Sequence, residues 1–163
     1  MAVQQIIGLL RRKVKFEYPA SVRFRCVKCG ICCGDTEEKN RRILLLPQEA
    51  EQIEKTALQS TERFAVKING VEPYNYEMKK RVEDGKCIFL ENDRCTIYAA
   101  RPLICRFYPF ELKSSCDGRY SFLFTEECPG IGKGGILGKD YFRKIFRLAC
   151  AKHRQVAGSS EGR

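Results

Sequence analysis

The stretch that decides the reading of this chain is Cys26-Val27-Lys28-Cys29-Gly30-Ile31-Cys32-Cys33-Gly34. Its first three cysteines recur at intervals of three residues, so a tight loop can turn their thiolates onto one centre, and Gly30 and Gly34 free the backbone for that loop. Adjacent residues project in different directions, so Cys32 and Cys33 are not expected to complete the same tetrahedral site. One of the two serves a second centre or stays free. The knuckle organises the expected fold: a small, irregular, metal-stabilised single α+β domain with short strands and flanking helices.

Downstream, four more cysteines sit beside turns or prolines, the irregular backbone that metal ligands favour. Asp84-Gly85 marks a turn into Cys87-Ile88-Phe89-Leu90, and Asn92-Asp93 marks another into Cys95, giving two close cysteines on a hairpin-like frame. Arg101-Pro102 opens a short helical turn that carries Cys105 and ends by Pro109. Tyr120 to Phe124 reads as a strand leading towards Cys128. Four cysteines in the knuckle and four downstream allow two sites. Cys116 and Cys150 stand outside the grouping, Cys150 on an apolar helix face where a thiol behaves as a small hydrophobe.

Around this region the chain divides into residues 1–25, an amphipathic helix over 2–15 and a lead-in strand over 18–25; residues 26–134, the cysteine-cluster domain; and residues 135–163, a basic helix and tail packed on the same domain. Pro47 followed by Gln48, Glu49 and Glu51 opens a helix to about Leu58, with Ala50, Ile53 and either Ala57 or Leu58 towards the core. A polar stretch extends to Tyr76. Gly130 to Gly138 reads as a glycine-rich loop. The last helix, over 140–157, collects Phe142, Ile145, Phe146 and Ala149 or Cys150 on one face.

With 163 residues the chain has room for a modest core, so ten cysteines need a reason of their own. At the N-terminus the apolar residues precede Arg11, Arg12, Lys13 and Lys15, the reverse of a secretory signal, and no run approaches the roughly 20 apolar residues of a membrane span. A cytoplasmic, reducing location and thiolate–metal chemistry are therefore expected instead of disulfides. The net charge of +10 lies at the ends, with six Lys/Arg against one acid in residues 1–25 and eight against two in residues 131–163. These ends are expected to be solvated helix faces or the surface for a protein partner; nucleic-acid binding is compatible with the charge but has no motif behind it.

The runs CVKCGICCG, GKCIFLENDRCTIYAARPLICRFYPF and CPGIGKG resemble the YkgJ-type cysteine-cluster family, the zinc- or iron-chelating CxxCxxCC domain, over roughly Cys26 to Gly134. The resemblance implies Cys26, Cys29, Cys32, Cys33, Cys87, Cys95, Cys105 and Cys128 as metal ligands, in a family commonly described as containing iron–sulfur clusters. A related cluster occurs in flagellin lysine N-methylase, which implies an accessory role in protein modification.

For the metal itself, the bacterial ferredoxin run C-x2-C-x2-C-x3-C-P shares the first intervals seen here, and Cys128-Pro129 matches its ending. One or two iron–sulfur clusters, of the [4Fe–4S] type, are expected, with zinc as the alternative. Arg101 and Arg106, bracketing Cys105, are candidate positive neighbours of an anionic cluster, or else pair with acids such as Glu91 or Glu111. Tyr98, Tyr108 and Phe110 are expected to shield the cysteines from water.

Other motifs carry less. Gly130 to Gly135 matches G-x-G-x-x-G but lacks the acidic residue about 20 positions on, and where a phosphate loop requires Lys followed by Ser or Thr, Lys133 precedes Gly134 and Lys139 precedes Asp140. The single histidine, His153, stands near the end of a helix, where its charge suits the dipole. A thioredoxin-like use of Cys26 and Cys29 lacks its βαβ frame. The functions in view are an iron–sulfur protein carrying electrons or assisting a modification or maturation enzyme, a zinc-stapled module binding nucleic acid or protein, and a metal-dependent protein-modifying enzyme.

Overall fold

The computed structural model describes residues 16–116 and 119–160. The expected helix over 2–15 lies outside the described residues. In chain order the elements are β1 (Phe16–Glu17), β2 (Arg23–Phe24), a 3-10 turn (Ile31–Cys33), β3 (Leu44–Leu45), α1 (Pro47–Ala57), α2 (Thr61–Phe64), β4 (Ala65–Lys67), β5 (Tyr76–Met78), β6 (Leu90–Glu91), β7 (Arg94–Cys95), a 3-10 turn (Tyr98–Ala100), α3 (Leu103–Phe107), β8 (Phe110–Ser114), β9 (Tyr120–Phe124), β10 (Ile131–Ile136) and α4 (Lys139–Ser160). Among the described residues, four helices and a set of short strands make the fold α+β, as expected. The chain forms two compact units, one from the described residues of Met1–Val27 and Phe107–Arg163, the other from Lys28–Arg106.

The first unit is built on aromatic packing. The β8–β9 hairpin pairs Phe110 with Phe124 through to Ser114 with Tyr120. β1 runs parallel to β9 with Phe16 opposite Tyr120. α4 lays Phe142, Ile145, Phe146, Ala149 and Cys150, the periodic face read from the sequence, into the core. Phe142 is fully buried, with the rings of Phe122, Tyr18 and Phe110 at 5.0, 5.1 and 5.2 Å. Phe110, expected to shield cysteines, belongs to this aromatic core.

Two local expectations are corrected. Pro19 interrupts the strand read over 18–25: it has no N–H for a ladder, and a turn closes instead as Val22 N–H donates to the Pro19 carbonyl at 3.2 Å. Only Phe16–Glu17 and Arg23–Phe24 are strand. The segment read as a glycine loop forms β10, antiparallel to β2 with an irregular register between Ile131 and Ile136. Glycine permits the approach: a Cβ on Gly130 would stand 2.5 Å from the Arg25 carbonyl oxygen. The G-x-G-x-x-G string thus lies largely within an antiparallel strand, and not in the turn that leads from that strand into α4.

In the second unit, β3 and β4 flank β5, and Leu45, Ile53, Phe64 and Met78 bury against Phe89, Ile97 and Cys87. α1 begins at Pro47 and ends with Leu58 in the left-handed region at φ 52°. Leu58 is exposed, so Ala57 is the residue that turns to the core with Ala50 and Ile53. α2, β4 and β5 arise in the stretch that looked only polar.

Replacing Phe142 by Ala removes the centre of the aromatic core, and we expect a loss of about 3–5 kcal/mol, measured by denaturant unfolding of the full chain.

Candidate metal centre

Within the Lys28–Arg106 unit the cysteines are delivered by backbone geometry. Gly30, at φ 71°, starts the 3-10 turn, and Cys33 N–H donates to its carbonyl at 2.9 Å. The chain then runs against the loop before Cys87. Gly34 bridges to Lys86, Asp35 N–H donates to the Gly85 carbonyl at 3.1 Å, and Cys87 N–H donates to the Cys33 carbonyl at 2.5 Å. Nothing larger than glycine fits: a Cβ on Gly34 would lie 2.5 Å from the Gly85 carbonyl oxygen and 2.7 Å from Lys86 Cα.

Cys95 follows from the expected turn. Asn92 and Asp93 both take positive φ, 46° and 58°, the conformation of a two-residue type I′ loop. The turn pairs Leu90 with Cys95 across β6 and β7. Cys105 rides on α3, which starts after Pro102 as expected. Cys87 belongs to the apolar core of the unit, and Cys33, Cys95 and Cys105 pack against it.

The Cys32 and Cys33 Sγ atoms lie 3.8 Å apart, correcting the expectation that adjacent cysteines diverge: the tight turn brings both thiols to the same side. Four thiolates on one zinc ion at about 2.3 Å stand roughly 3.8 Å from one another, so this pair matches one edge of such a tetrahedron.

The electrostatics of the group follow from crowding and burial. The Cys32 thiol is held strongly protonated, first by its hydrogen bond with Cys33 and then by burial. Burial pushes Cys87 up to about 11. It also raises Cys95 and carries Cys105 well above the ordinary thiol range, with the charges of Cys32, Cys87 and Cys95 adding to the effect. Four thiols thus oppose one another's ionisation, and a cation among them reverses that sign.

Two arginines behave differently. Arg106 spends its guanidinium on carbonyls, Nε to Arg101 at 2.8 Å and Nη2 to Ala99 at 2.6 Å, and so braces the turn before α3. Arg101 lies with its guanidinium carbon 3.8 Å from the centroid of the half-exposed Tyr98 ring, favours the Cys95 thiolate electrostatically, and buries Nε with no hydrogen-bond acceptor among the described residues. An orphaned buried donor beside these thiols fits an anionic thiolate-bound group. Among the described residues, no three Cys, His, Asp or Glu side chains are gathered closely enough to hold a metal ion as they are placed.

The remaining cysteines lie elsewhere. Cys29 is exposed in the same unit, whereas Cys26, exposed, and Cys128, buried, belong to the other unit. There Arg25 N–H donates to the Gly130 carbonyl at 3.1 Å, so Cys26 and Cys128 leave the same end of the β2–β10 ladder. Cys116 is exposed on a turn and Cys150 is in the α4 core.

Sequence reading missed three supports. Arg81 donates Nη1 to the Leu90 carbonyl at 2.6 Å and Nη2 to Asp84 at 2.6 Å, clamping both sides of Cys87. Lys80 Nζ holds Asp35 at 2.6 and 2.8 Å and Asn40 at 2.8 Å, closing the loop after Gly34. Buried Glu49 bonds the start of the Cys105 helix. The Asp84-Gly85 turn hinted at the first; the other two depend on contacts far apart in sequence.

A thiol-lined α+β unit built from a CxxCxxCC knuckle defines a cysteine-cluster protein. The family model CxxCxxCC, "Putative zinc- or iron-chelating domain", matches residues 25–129, and the chain belongs to that family. An uncharacterised protein of Methanocaldococcus jannaschii is similar at 31% identity over 140 residues, covering 81% of this chain and 72% of the relative. A second uncharacterised protein of that organism is 29% identical over 125 residues, 72% of this chain and 40% of the relative, so this chain spans less than half of that protein. No solved structure matches the chain.

Two outcomes test the frame. Gly34→Ala forces the knuckle off the Gly85–Lys86 backbone and is expected to cost about 1–3 kcal/mol in chemical unfolding. Lys80 and the Arg41 N–H hold the Asp35 carboxyl below the usual carboxylate range. Its contribution is therefore present above the unfolded-state pKa and lost as pH falls through the folded one. Asp35→Asn should flatten the fall in melting temperature between about pH 6 and pH 3.

Proposed function

We propose that this chain is an iron–sulfur cluster protein that carries electrons or supports a modification or maturation enzyme. The reading rests on the thiols of Cys33, Cys87, Cys95 and Cys105 around one apolar core, with Cys32 3.8 Å from Cys33 and the unmatched Nε of Arg101 beside them. Cys26, Cys29 and Cys128 complete the proposed set of eight ligands, enough for one or two [4Fe–4S] clusters. A cluster held by four thiolates is anionic, so a buried guanidinium both compensates its charge and donates to its sulfur. Such a centre supplies one-electron chemistry when bound; the residues of the chain hold it, exclude water and set its electrostatics.

Free thiols throughout the described chain suit a reducing, cytoplasmic setting, and no described helix is long and apolar enough to cross a membrane. We place a protein partner on the basic ends. The 3.8 Å Cys32–Cys33 pair favours a second reading, zinc held as a structural staple in a binding module, because that spacing suits a single ion.

Anaerobic purification of the full chain decides between them. The cluster reading expects broad visible absorption bleached by dithionite, with iron and acid-labile sulfide. Cys87→Ser or Cys105→Ser should remove most of that absorption, and Cys116→Ser should leave it intact. Colourless protein with stoichiometric zinc overturns the cluster reading in favour of the staple.

A further inference from the structure

Glu49 is the third residue of α1, where an acid ordinarily faces water and steadies the helix start. Here it is only 2% exposed. Its Oε2 accepts from Leu46 N–H at 3.1 Å, inside its own helix start. Its Oε1 accepts from Leu103 N–H at 2.8 Å, in a segment distant in sequence. Leu103 is the first residue of α3, and Cys105 lies two residues further on the same helix. Pro102 has no N–H, so Leu103 offers the first free donor of that helix, and Glu49 takes it.

We infer that Glu49 is a positioning residue for the metal centre: its carboxylate fixes the start of α3 and thereby aims Cys105 at the bound group. The inference rests on the metal reading above. A buried carboxylate near thiols is costly, and its charge is among those that oppose ionisation of Cys105. Charge-assisted bonds to two backbone N–H groups offset part of that cost and give a rigid link, since both ends are helix starts. The lever from Leu103 to Cys105 is short, and Arg106 N–H to the Pro102 carbonyl at 3.0 Å closes the turn between them.

The variant Glu49→Gln keeps the shape but turns an amide N–H₂ towards one of the two backbone donors. In metal-loaded full-length protein, the alkylation rate of each cysteine is followed by mass spectrometry, with Glu51→Gln on the exposed face of the same helix as the control. We expect Cys105 to react about 10-fold faster in E49Q, with Cys87 and Cys95 within about twofold of the parent, a selective loss that general loosening does not produce. An unchanged Cys105 rate, or equal acceleration of all three, overturns the positioning role. If the parent protein shows no metal protection of any cysteine, the metal reading itself fails, an outcome distinct from a protected parent that E49Q leaves unaltered. Should E49Q not fold, Glu49→Asp, which withdraws the carboxylate by one methylene, is measured against the same expectations.

Discussion

The contact between Gly34 and the Gly85–Lys86 backbone is the constraint from which the rest of the Lys28–Arg106 unit follows. It closes a long loop, and a bare backbone is the only thing that fits at that distance. Once closed, it seats the Cys32–Cys33 turn against Cys87 through a hydrogen bond from the Cys87 N–H to the Cys33 carbonyl. The Asn92-Asp93 turn then returns Cys95 beside Leu90, and α3 contributes Cys105. Cys33, Cys87, Cys95 and Cys105 thus arrive on different kinds of local structure yet pack on the one apolar core.

Burial makes that gathering unfavourable for the thiols alone. A buried thiolate is poorly solvated, and neighbouring thiolates repel, so the group stays protonated unless positive charge enters. Metal binding then releases protons and converts mutual opposition into shared attraction, which couples the chemistry of the site to the stability of its unit. Arg101 and Arg106 show that equal charges in similar places do different work. Arg106 is consumed by carbonyls, while Arg101 keeps a buried donor in reserve.

Much of this was legible in the sequence because it is local. The α4 face, the Pro47 helix start, the Asn92-Asp93 turn and the α3 start after Pro102 are each set by residues within a few positions. The strand β10 was not, because glycine spacing looks like a loop until β2 supplies a partner edge. The helix α2 and strands β4 and β5 are likewise too short to announce themselves without the pairing that stabilises them. Among site residues, the cysteines stood out by type and spacing. Glu49 looked like an ordinary acidic helix start, and its second bond, to Leu103, crosses more of the chain than any motif spans. The closeness of Cys32 and Cys33 is not legible from their adjacency, which favours divergence, because it depends on a 3-10 turn entered from the left-handed Gly30 that brings both sulfurs together.

The proposed occupant of these thiols is a sulfur-ligated iron centre. X-ray absorption at the iron edge of anaerobically purified full-length protein tests it most directly. An iron–sulfur cluster on these thiols is expected to show a first shell of sulfur with an iron–iron shell beyond it. A first shell of nitrogen or oxygen, or protein without stoichiometric iron, would contradict it.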